Sequence, residues 1–428
     1  MSINAHKYQY HAIRLDVMRI IVSLLIFLSP EIWIASRALD QVSFLTRAPL
    51  GFEWVVEHIG AHRFLGDLSL ILIYGGAFLG LIGHYARIGL SLASIGLFYL
   101  IGWLEMKGAT VHCHHLLWFS IALALSPCND VLRLGKRPVL YEGHRYRRAL
   151  FGIWSIIAMI FVFPGWYKLS LGGTEWLTGK TLYYTVMWKS AQYWNQPITL
   201  SFNTPTTYAP LAWAAILFEL CAPFLLLLWQ RTGLFLILAL GFHLGTSLLL
   251  NIHFTNLWPC YVVLVPWEKI YKNKQVYHRT SAEITWHSSR LMWAPLLVGI
   301  LFAGVTMNLS GWPFACYPTF HQKISHKMPL MSVVVRDRQG KTRRINHRRY
   351  LHPNNMSWGE NWRLAGFYGP TEDQEILRFA KSKIAPLLHD DDQTISFYQS
   401  SIDLLSQEIT DQKRVYIWEL KQSTLIAH

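Results

Sequence analysis

Charged residues are scarce in this chain of 428 residues. Asp, Glu, Lys and Arg make up only 15% of it, against about 25% in typical soluble domains. Hydrophobic residues make up 52%, and there are 19 Trp, 20 Tyr and 22 Phe. The scarcity of charge disfavours a soluble multidomain protein. The aromatic content is typical of a membrane protein with interfacial belts.

Cysteine is also scarce, and no CxxC pair occurs, so a dense disulfide framework is excluded. The five cysteines are Cys113, Cys128, Cys221, Cys260 and Cys316. Each lies in or beside an apolar run, and we interpret them as small hydrophobic residues. No motif that reads DNA or RNA is present. We therefore attribute the net charge of +14 to membrane topology and not to a nucleic-acid partner.

Apolar runs long enough to cross about 30 Å of hydrocarbon recur through the first three quarters of the chain. We predict spans near 15–35, 64–83, 87–105, 112–126, 150–167, 208–229, 233–251, 254–266 and 290–308. The fourth and eighth are short and could be re-entrant or tilted. The runs are continuous rather than alternating, which disfavours a β-barrel. The expected fold is an all-α polytopic membrane protein with eight or nine transmembrane helices.

Basic residues predict the orientation in the lipid bilayer, because cytoplasmic loops are enriched in Lys and Arg. The loop Arg133–Arg148 is the most basic short loop, so we place it in the cytoplasm. Alternation then places the N-terminus, with Arg19, and the loop Lys269–Arg279 on the same side. Lys168 and the C-terminus are expected at the outer face, which in a bacterial cell means the outer side of the inner membrane.

The composition changes after about Ser310, where the chain becomes charged and mixed. The run MSVVVRDRQGKTRRI predicts strands with a hairpin turn at Gln339-Gly340. The segment Glu372–Leu388 predicts an amphipathic helix that presents Ile376, Phe379, Ile384 and Leu387 on one face. We therefore predict a transmembrane bundle over residues 1–310 and a small extracytoplasmic α+β domain over residues 311–428.

Ionisable residues within membrane spans are costly and tend to be functional. Lys168 follows the apolar run Leu150–Phe163. One interpretation is a surface anchor that lifts its ammonium into the headgroups. The other is a desolvated amine that acts as a general base. The pair Gly172-Gly173 after it permits a tight turn and a close return of the chain.

Other polar residues recur in the predicted spans. Glu219 lies deep in an apolar helix, so it should be neutral or paired with a cation such as Lys168 or a histidine. His243 is a further candidate, and we expect these groups to share one polar cavity. In HCHH, from His112 to His115, helical spacing spreads the imidazoles around the axis, so hydrogen bonding is favoured over metal binding. A metal or haem protein built on His112, His114, His115 and His253 is an open alternative.

Several motifs resemble, in their order along the chain, the HTTM module of the vitamin K-dependent gamma-carboxylase family. They are GWYKL…WLTG, which begins at Gly165, FEL…P around Glu219, and FHL…NIHF from Phe242 to Phe254. His114-His115-Leu116-Leu117 looks like the family's NHxxL element. The stretch Trp312–Phe320 looks like the segment that follows the last span in bacterial members. The resemblance covers about residues 10–320 and suggests a short, bacterial-type member.

The resemblance implies a reaction. In the family, a lysine at the position of Lys168 deprotonates a reduced vitamin K or menaquinol, which then reacts with oxygen. The resulting alkoxide removes a proton from a peptidyl glutamate, the carbanion takes up carbon dioxide, and the quinone leaves as its epoxide. The implied catalytic residues are Lys168 and His115. The implied quinone-pocket residues are His114, His243, Glu219, Trp166 and Tyr167, with no resident metal.

The chain also departs from the animal enzymes of this family. Only about 110 residues follow the spans. In addition, the animal enzymes have an asparagine at the position of His114. Carboxylation of a protein or peptide at the outer face is therefore one option, and quinone oxygenation alone is another. A non-enzymatic membrane receptor or scaffold is the remaining alternative. Its basic stretch Arg338–Tyr350 would bind an acidic partner or anionic lipid headgroups.

Overall fold

The computed structural model describes residues 2–39, 51–105, 114–135, 139–141, 145–192, 204–250, 252–265, 267, 277–279, 288–306, 312–314, 326–345, 373–403 and 408–420. These residues are mostly helical, and a small antiparallel sheet lies near the C-terminus.

The described residues in the first three quarters of the chain are mostly helical. They are α1 (Ser2–Leu28), α2 (Pro30–Ala38), α3 (Arg63–Ile82), α4 (Ala86–Glu105), α5 (His114–Ala124), α6 (Arg145–Tyr167), α7 (Thr174–Leu177), α8 (Lys180–Gln192), α9 (Pro205–Pro223), α10 (Thr232–Leu250) and α11 (Ser288–Val305). A π-helical turn extends α6 from Lys168 to Gly172, and another extends α9 from Phe224 to Leu228.

Five of these helices, α3, α4, α6, α9 and α10, are long and apolar enough to cross a membrane, counting their π-helical extensions. Each coincides with a predicted span. The prediction of a largely helical chain with several membrane-length helices is therefore confirmed.

The other predicted spans take different forms. The first is interrupted at Ser29, because Pro30 cannot donate the helical hydrogen bond and crowds the preceding turn. The fourth, α5, has 11 residues. The eighth is a 3-10 helix over Trp258–Leu264 and not an α-helix. In the ninth, α11, the apolar part Ala294–Val305 is shorter than a membrane-length helix.

Two short strands join loops that lie far apart in the sequence. Strand β1 (Val139–Tyr141) pairs in parallel with β2 (Tyr277–Arg279). Both belong to basic loops that the charge pattern predicts on the same side, and direct pairing requires a shared side. The helices α6, α9 and α10 and the largely buried 3-10 helix Trp258–Leu264 lie between the two strands along the chain.

Helices α6 and α11 each begin shortly after one of these strands, and their far ends meet. The Tyr167 hydroxyl donates to the Gly304 carbonyl at 2.9 Å. A Cβ at Gly304 would lie 2.3 Å from the Phe163 ring, so a side chain there would prevent this approach. The contact holds the end of α6, where Lys168 follows, beside the end of α11.

Arg19 in α1 is fully buried. Its Nε donates to the Cys128 carbonyl at 2.7 Å, and its two Nη atoms donate to the carbonyls of Gly80, Leu81 and Leu132. The guanidinium thereby joins α1 to the end of α3 and to the loop after α5. Arg19 thus stabilises the packing of these helices from inside the protein. The charge pattern alone had predicted only that it lies in the basic N-terminal segment on the cytoplasmic side.

A four-stranded antiparallel sheet in the order β4-β3-β5-β6 follows the helical part. Its strands are β3 (Lys327–Asp337), β4 (Thr342–Ile345), β5 (Asp392–Asp403) and β6 (Ile409–Glu419). The predicted hairpin turn joins β3 to β4, and Gly340 adopts φ +82°, which favours glycine. The α+β character predicted for this region is present. The predicted boundary near Ser310 lies outside the described residues.

The predicted amphipathic helix packs on this sheet. It begins as α12 (Asp373–Phe379) and continues through a π-helical turn and a 3-10 turn to Leu387. Ile376, Phe379 and Ile384 are buried in a common apolar core with strand residues that include Val335 and Phe397. The face predicted from periodicity is therefore the face that the tertiary structure uses.

Candidate functional site

The polar centre nearest the end of α6 is an ion pair between Lys168 and Glu219. Lys168 is only 4% exposed and Glu219 is 2% exposed. The Lys168 ammonium Nζ contacts Glu219 Oε1 directly. The pairing considered from the sequence is therefore present. The surface-anchor interpretation of Lys168 is wrong, because the amine is enclosed and does not reach the headgroups.

The pair forms because α6 and α9 approach closely at one glycine. A Cβ at Gly165 would lie 2.8 Å from the Cβ of Glu219, so a larger residue would separate the helices. One position before Glu219, Phe218 packs edge-to-face against Phe161 of α6, with ring centroids 5.1 Å apart. The glycine of the GWYKL motif thus brings the lysine and the carboxylate together.

Two glycines fold the next segment back over Lys168. Gly173 has φ +55° and ψ −138°, a conformation that L side chains rarely adopt, and it turns the chain into α7. A Cβ at Gly172 would lie 2.0 Å from Trp176 Cδ1. The Trp176 ring then lies over the amine, with Nζ 5.3 Å from its centroid, within cation–π range. The predicted tight return of the chain is observed, and it places the Trp176 ring over the Lys168 amine.

Two polar atoms of the side chains that contact Lys168 have no hydrogen-bond partner among the described residues. Glu219 Oε2 and Trp176 Nε1 are both buried and unpaired. Buried polar atoms in proteins are normally satisfied by protein, water or ligand. The surroundings of Lys168 therefore retain capacity for a polar ligand.

Two arrangements of the proton are chemically distinct in such a pair: an ammonium beside a carboxylate, and a neutral amine beside a carboxylic acid. Burying a carboxylate and an ammonium together costs the hydration of both ions, and their attraction offsets that cost only when further hydrogen bonds complete the site. Transfer of the proton from Lys168 to Glu219 removes both charges. The same transfer leaves a neutral amine, which is the form of lysine that accepts a proton from a substrate.

His243 does not join this pair. Its Nε2 bonds to the Tyr261 hydroxyl at 2.8 Å, and the two rings stack with centroids 5.6 Å apart. Phe161 packs against His243 on one side and against Phe218 on the other. The hydrogen bond and ring contacts of His243 thus involve Tyr261 and Phe161, and a cavity shared with Lys168 stays a prediction. Sequence reasoning missed Tyr261, which carries no motif and lies in the 3-10 helix.

His115 and His114 tie the start of α5 to other segments. His115 Nε2 bonds to the backbone carbonyl of Asn256 at 2.7 Å. His114 Nε2 lies 3.8 Å from Glu105 Oε1, and its ring packs against Trp312. These contacts join α5 to Asn256, Glu105 and Trp312, and the roles of His114 and His115 beside Lys168 stay predictions. His112 lies outside the described residues, and within them no group of three or more metal-ligating residues occurs.

Trp166 and Tyr167 also depart from the expected pocket. Trp166 is 48% exposed. Residues two apart on a helix lie about 200° apart around its axis, so Trp166 faces away from Lys168. Tyr167 is buried, but its hydroxyl bonds to Gly304 of α11. Trp166 is better placed as an interfacial anchor and Tyr167 as a helix-packing residue.

One cavity of about 860 Å³ opens at the turn between α9 and α10, and it is lined by Leu225 and residues 229–234. It does not include Lys168 or Glu219, so its location gives no support to the candidate site.

The basic hairpin of the C-terminal sheet is faced by acidic groups. Arg343 forms an ion pair with Asp392, and the backbone amide of Arg338 donates to the Asp391 carbonyl at 3.0 Å. Asp337 accepts from the backbone amides of the turn itself. Arg343 in the described part of the basic stretch thus has a carboxylate partner, and headgroup binding by this stretch stays a prediction.

Comparison with known proteins returned no match, whether with family models, curated proteins or solved structures. What the chain does must therefore be inferred from its residues and their geometry.

Proposed function

We propose that this chain is an integral membrane enzyme that oxygenates a reduced isoprenoid quinone, with Lys168 as the base. The observation that carries the proposal is the buried Lys168–Glu219 pair, covered by Trp176 and bordered by unpaired polar atoms. The resemblance of the surrounding motifs to the vitamin K-dependent gamma-carboxylase family supplies the reaction class.

The chemistry starts with proton removal from a hydroquinone hydroxyl by neutral Lys168, whose own proton has passed to Glu219. The phenolate then reacts with dioxygen. One oxygen atom enters the ring as the epoxide and the other leaves in water, so hydroquinone and dioxygen give quinone epoxide and water. Vitamin K hydroquinone and menaquinol both fit this description.

The setting suits this chemistry for two reasons. A reduced isoprenoid quinone is apolar and partitions into the bilayer, where the membrane-length helices α6 and α9 can meet it. A site closed by aromatic rings also excludes water, which would quench a strongly basic intermediate. The family resemblance further suggests that this base serves to carboxylate a glutamate with carbon dioxide. We therefore propose glutamate carboxylation as a second reaction that quinone oxygenation would drive.

The test uses purified protein in detergent, supplied with vitamin K hydroquinone or menaquinol under air, with epoxide measured by chromatography. Lys168→Met should lower turnover by about 10²- to 10⁴-fold, the usual contribution of a general base. Lys180→Met is the matched control, because Lys180 is half exposed and lies 3.8 Å from Glu175. Equal turnover in the two variants would exclude Lys168 as the base.

The non-enzymatic alternative makes the opposite prediction. A receptor or scaffold would keep its physiological role in Lys168→Met and lose it when residues 320–428 are deleted. An enzyme of the proposed kind loses its role in Lys168→Met.

A further inference from the structure

We infer that Trp176 and Glu219 form a hydroxyl-binding subsite beside Lys168. In this subsite Trp176 Nε1 donates a hydrogen bond to a hydroxyl oxygen of the substrate, and Glu219 Oε2 accepts the hydrogen of that hydroxyl in the bound state, before the proton passes to Lys168. The identity of the substrate as a hydroquinone rests on the proposed function. The subsite itself is inferred from the two unpaired atoms and from the contact that each side chain makes with Lys168.

The two atoms belong to side chains that already contact Lys168. Glu219 uses Oε1 for the lysine, which leaves the second oxygen of the same carboxylate without a partner among the described residues. Trp176 contacts Lys168 through the face of its ring, so the N–H at the ring edge has no partner among the described residues. Both side chains are nearly inaccessible, at 2% and 3% exposure. Leaving such groups unsatisfied is costly, so a ligand that satisfies both gains from each.

The chemistry of the pair selects the ligand. A carboxylate oxygen accepts and an indole N–H donates. A hydroxyl group does both, so it is the complement of this pair. A quinone carbonyl only accepts, so it can use Trp176 and gains nothing from Glu219. The subsite therefore favours the reduced form of a quinone over the oxidised form.

The chain is built locally to hold Trp176 in this position. Gly173 makes the turn, and Gly172 leaves the space that the indole occupies. Trp103 offers a comparison within the same protein. It is also a buried tryptophan with an unpaired Nε1, but it packs against Phe52 and Tyr99, away from Lys168.

The test measures binding without turnover. Dissociation constants of menaquinol and menaquinone with a short isoprenoid chain are determined without oxygen, using the full-length protein in detergent. Trp176→Phe removes the donor and should weaken both forms by roughly 2- to 12-fold, the effect of one net hydrogen bond. Trp103→Phe is the matched control and should change neither constant by more than about twofold.

Glu219→Gln provides a second, independent measurement. The amide keeps its oxygen for Lys168 and places an N–H₂ donor where Oε2 was, so the preference for menaquinol over menaquinone should fall by at least roughly 2- to 12-fold. If Trp176→Phe does not fold, the ratio of the menaquinone to the menaquinol dissociation constant in Glu219→Gln tests the subsite by itself.

The outcomes separate the two proposals. If wild-type protein forms epoxide but Trp176→Phe binds like Trp103→Phe, or Glu219→Gln keeps the wild-type preference, the subsite is overturned and the proposed function stands. If wild-type protein binds neither quinone form, both are overturned. Weaker binding in Trp176→Phe together with a lost preference in Glu219→Gln supports the subsite.

Discussion

Arg19 in α1 and Lys168 after α6 are both buried cations, but their partners differ in kind. Arg19 donates to backbone carbonyls from several segments. Lys168 meets one carboxylate and the face of one indole. A guanidinium does not give up its proton in proteins, whereas a lysine amine does so readily when it is buried. The first cation is suited to joining helices and the second to moving a proton.

The largest expected effect comes from removing the structural cation. Arg19→Met leaves buried carbonyls of Gly80, Leu81, Cys128 and Leu132 without their donor. We expect a loss of more than about 3 kcal/mol in the free energy of unfolding, because each buried carbonyl left without a donor costs about 1–3 kcal/mol. Unfolding of the purified variant in detergent measures it. Arg147→Met, at an exposed position of α6, is the control and should change stability by less than about 0.5 kcal/mol.

A smaller loss is expected when the cover over Lys168 is displaced. Gly172→Ala places a Cβ against Trp176, and overpacking of this kind costs about 1–3 kcal/mol. Because the indole must move off the amine, epoxide formation should fall as well. The control is Gly241→Ala in α10, where a Cβ would meet nothing within 4 Å. If Gly172→Ala keeps wild-type stability and turnover, the tight return does not position Trp176.

The His243–Tyr261 pair extends the comparison to a site that we place outside the chemistry. Tyr261→Phe removes the partner of His243 Nε2, and an unsatisfied buried group costs about 1–3 kcal/mol. Turnover per folded molecule should stay at the wild-type value, because the hydrogen bond of this pair involves neither Lys168 nor Glu219. A large fall in turnover at unchanged stability would return His243 to the catalytic site.

The smallest effect on stability is expected when both members of the Lys168–Glu219 pair are replaced, in contrast to the replacement of Arg19. The double variant Lys168→Met/Glu219→Gln replaces both members of the pair with uncharged groups of similar size, and such replacements are often neutral or stabilising. We expect its free energy of unfolding to lie within about 1 kcal/mol of wild type, while epoxide formation is lost. Unfolding measurements on the double variant and on each single variant test this. A destabilisation as large as that of Arg19→Met would make the Lys168–Glu219 pair a structural joint.

Local features of the chain were predictable because their causes are local. The length of an apolar run decides whether a helix can cross a membrane, and α3, α4, α6, α9 and α10 follow their runs closely. The turn at Gln339-Gly340 and the buried face of α12 follow from residue type and periodicity. The close return after Lys168 was likewise expected from Gly172-Gly173.

The interruptions of the predicted spans were harder to predict. Pro30 and Pro259 lie inside apolar runs, and a hydrophobicity pattern does not register the lost N–H of proline. The parallel strands β1 and β2 were also unexpected, because 135 residues separate the ends of their connection and neither strand has a long alternating pattern. Such pairing is decided by where the helices place the loops.

The sequence by itself determined that the chain has membrane-length helices, that a lysine ends one of them, and that a glycine pair turns the chain immediately afterwards. Only the tertiary structure decided the surroundings of that lysine. Glu219 lies 51 residues away in the chain, and it reaches Lys168 because Gly165 lets two helices approach. Trp176, not His243, completes the surroundings. Side-chain partners across a helix interface depend on the rotation and closeness of both helices, which no single segment encodes.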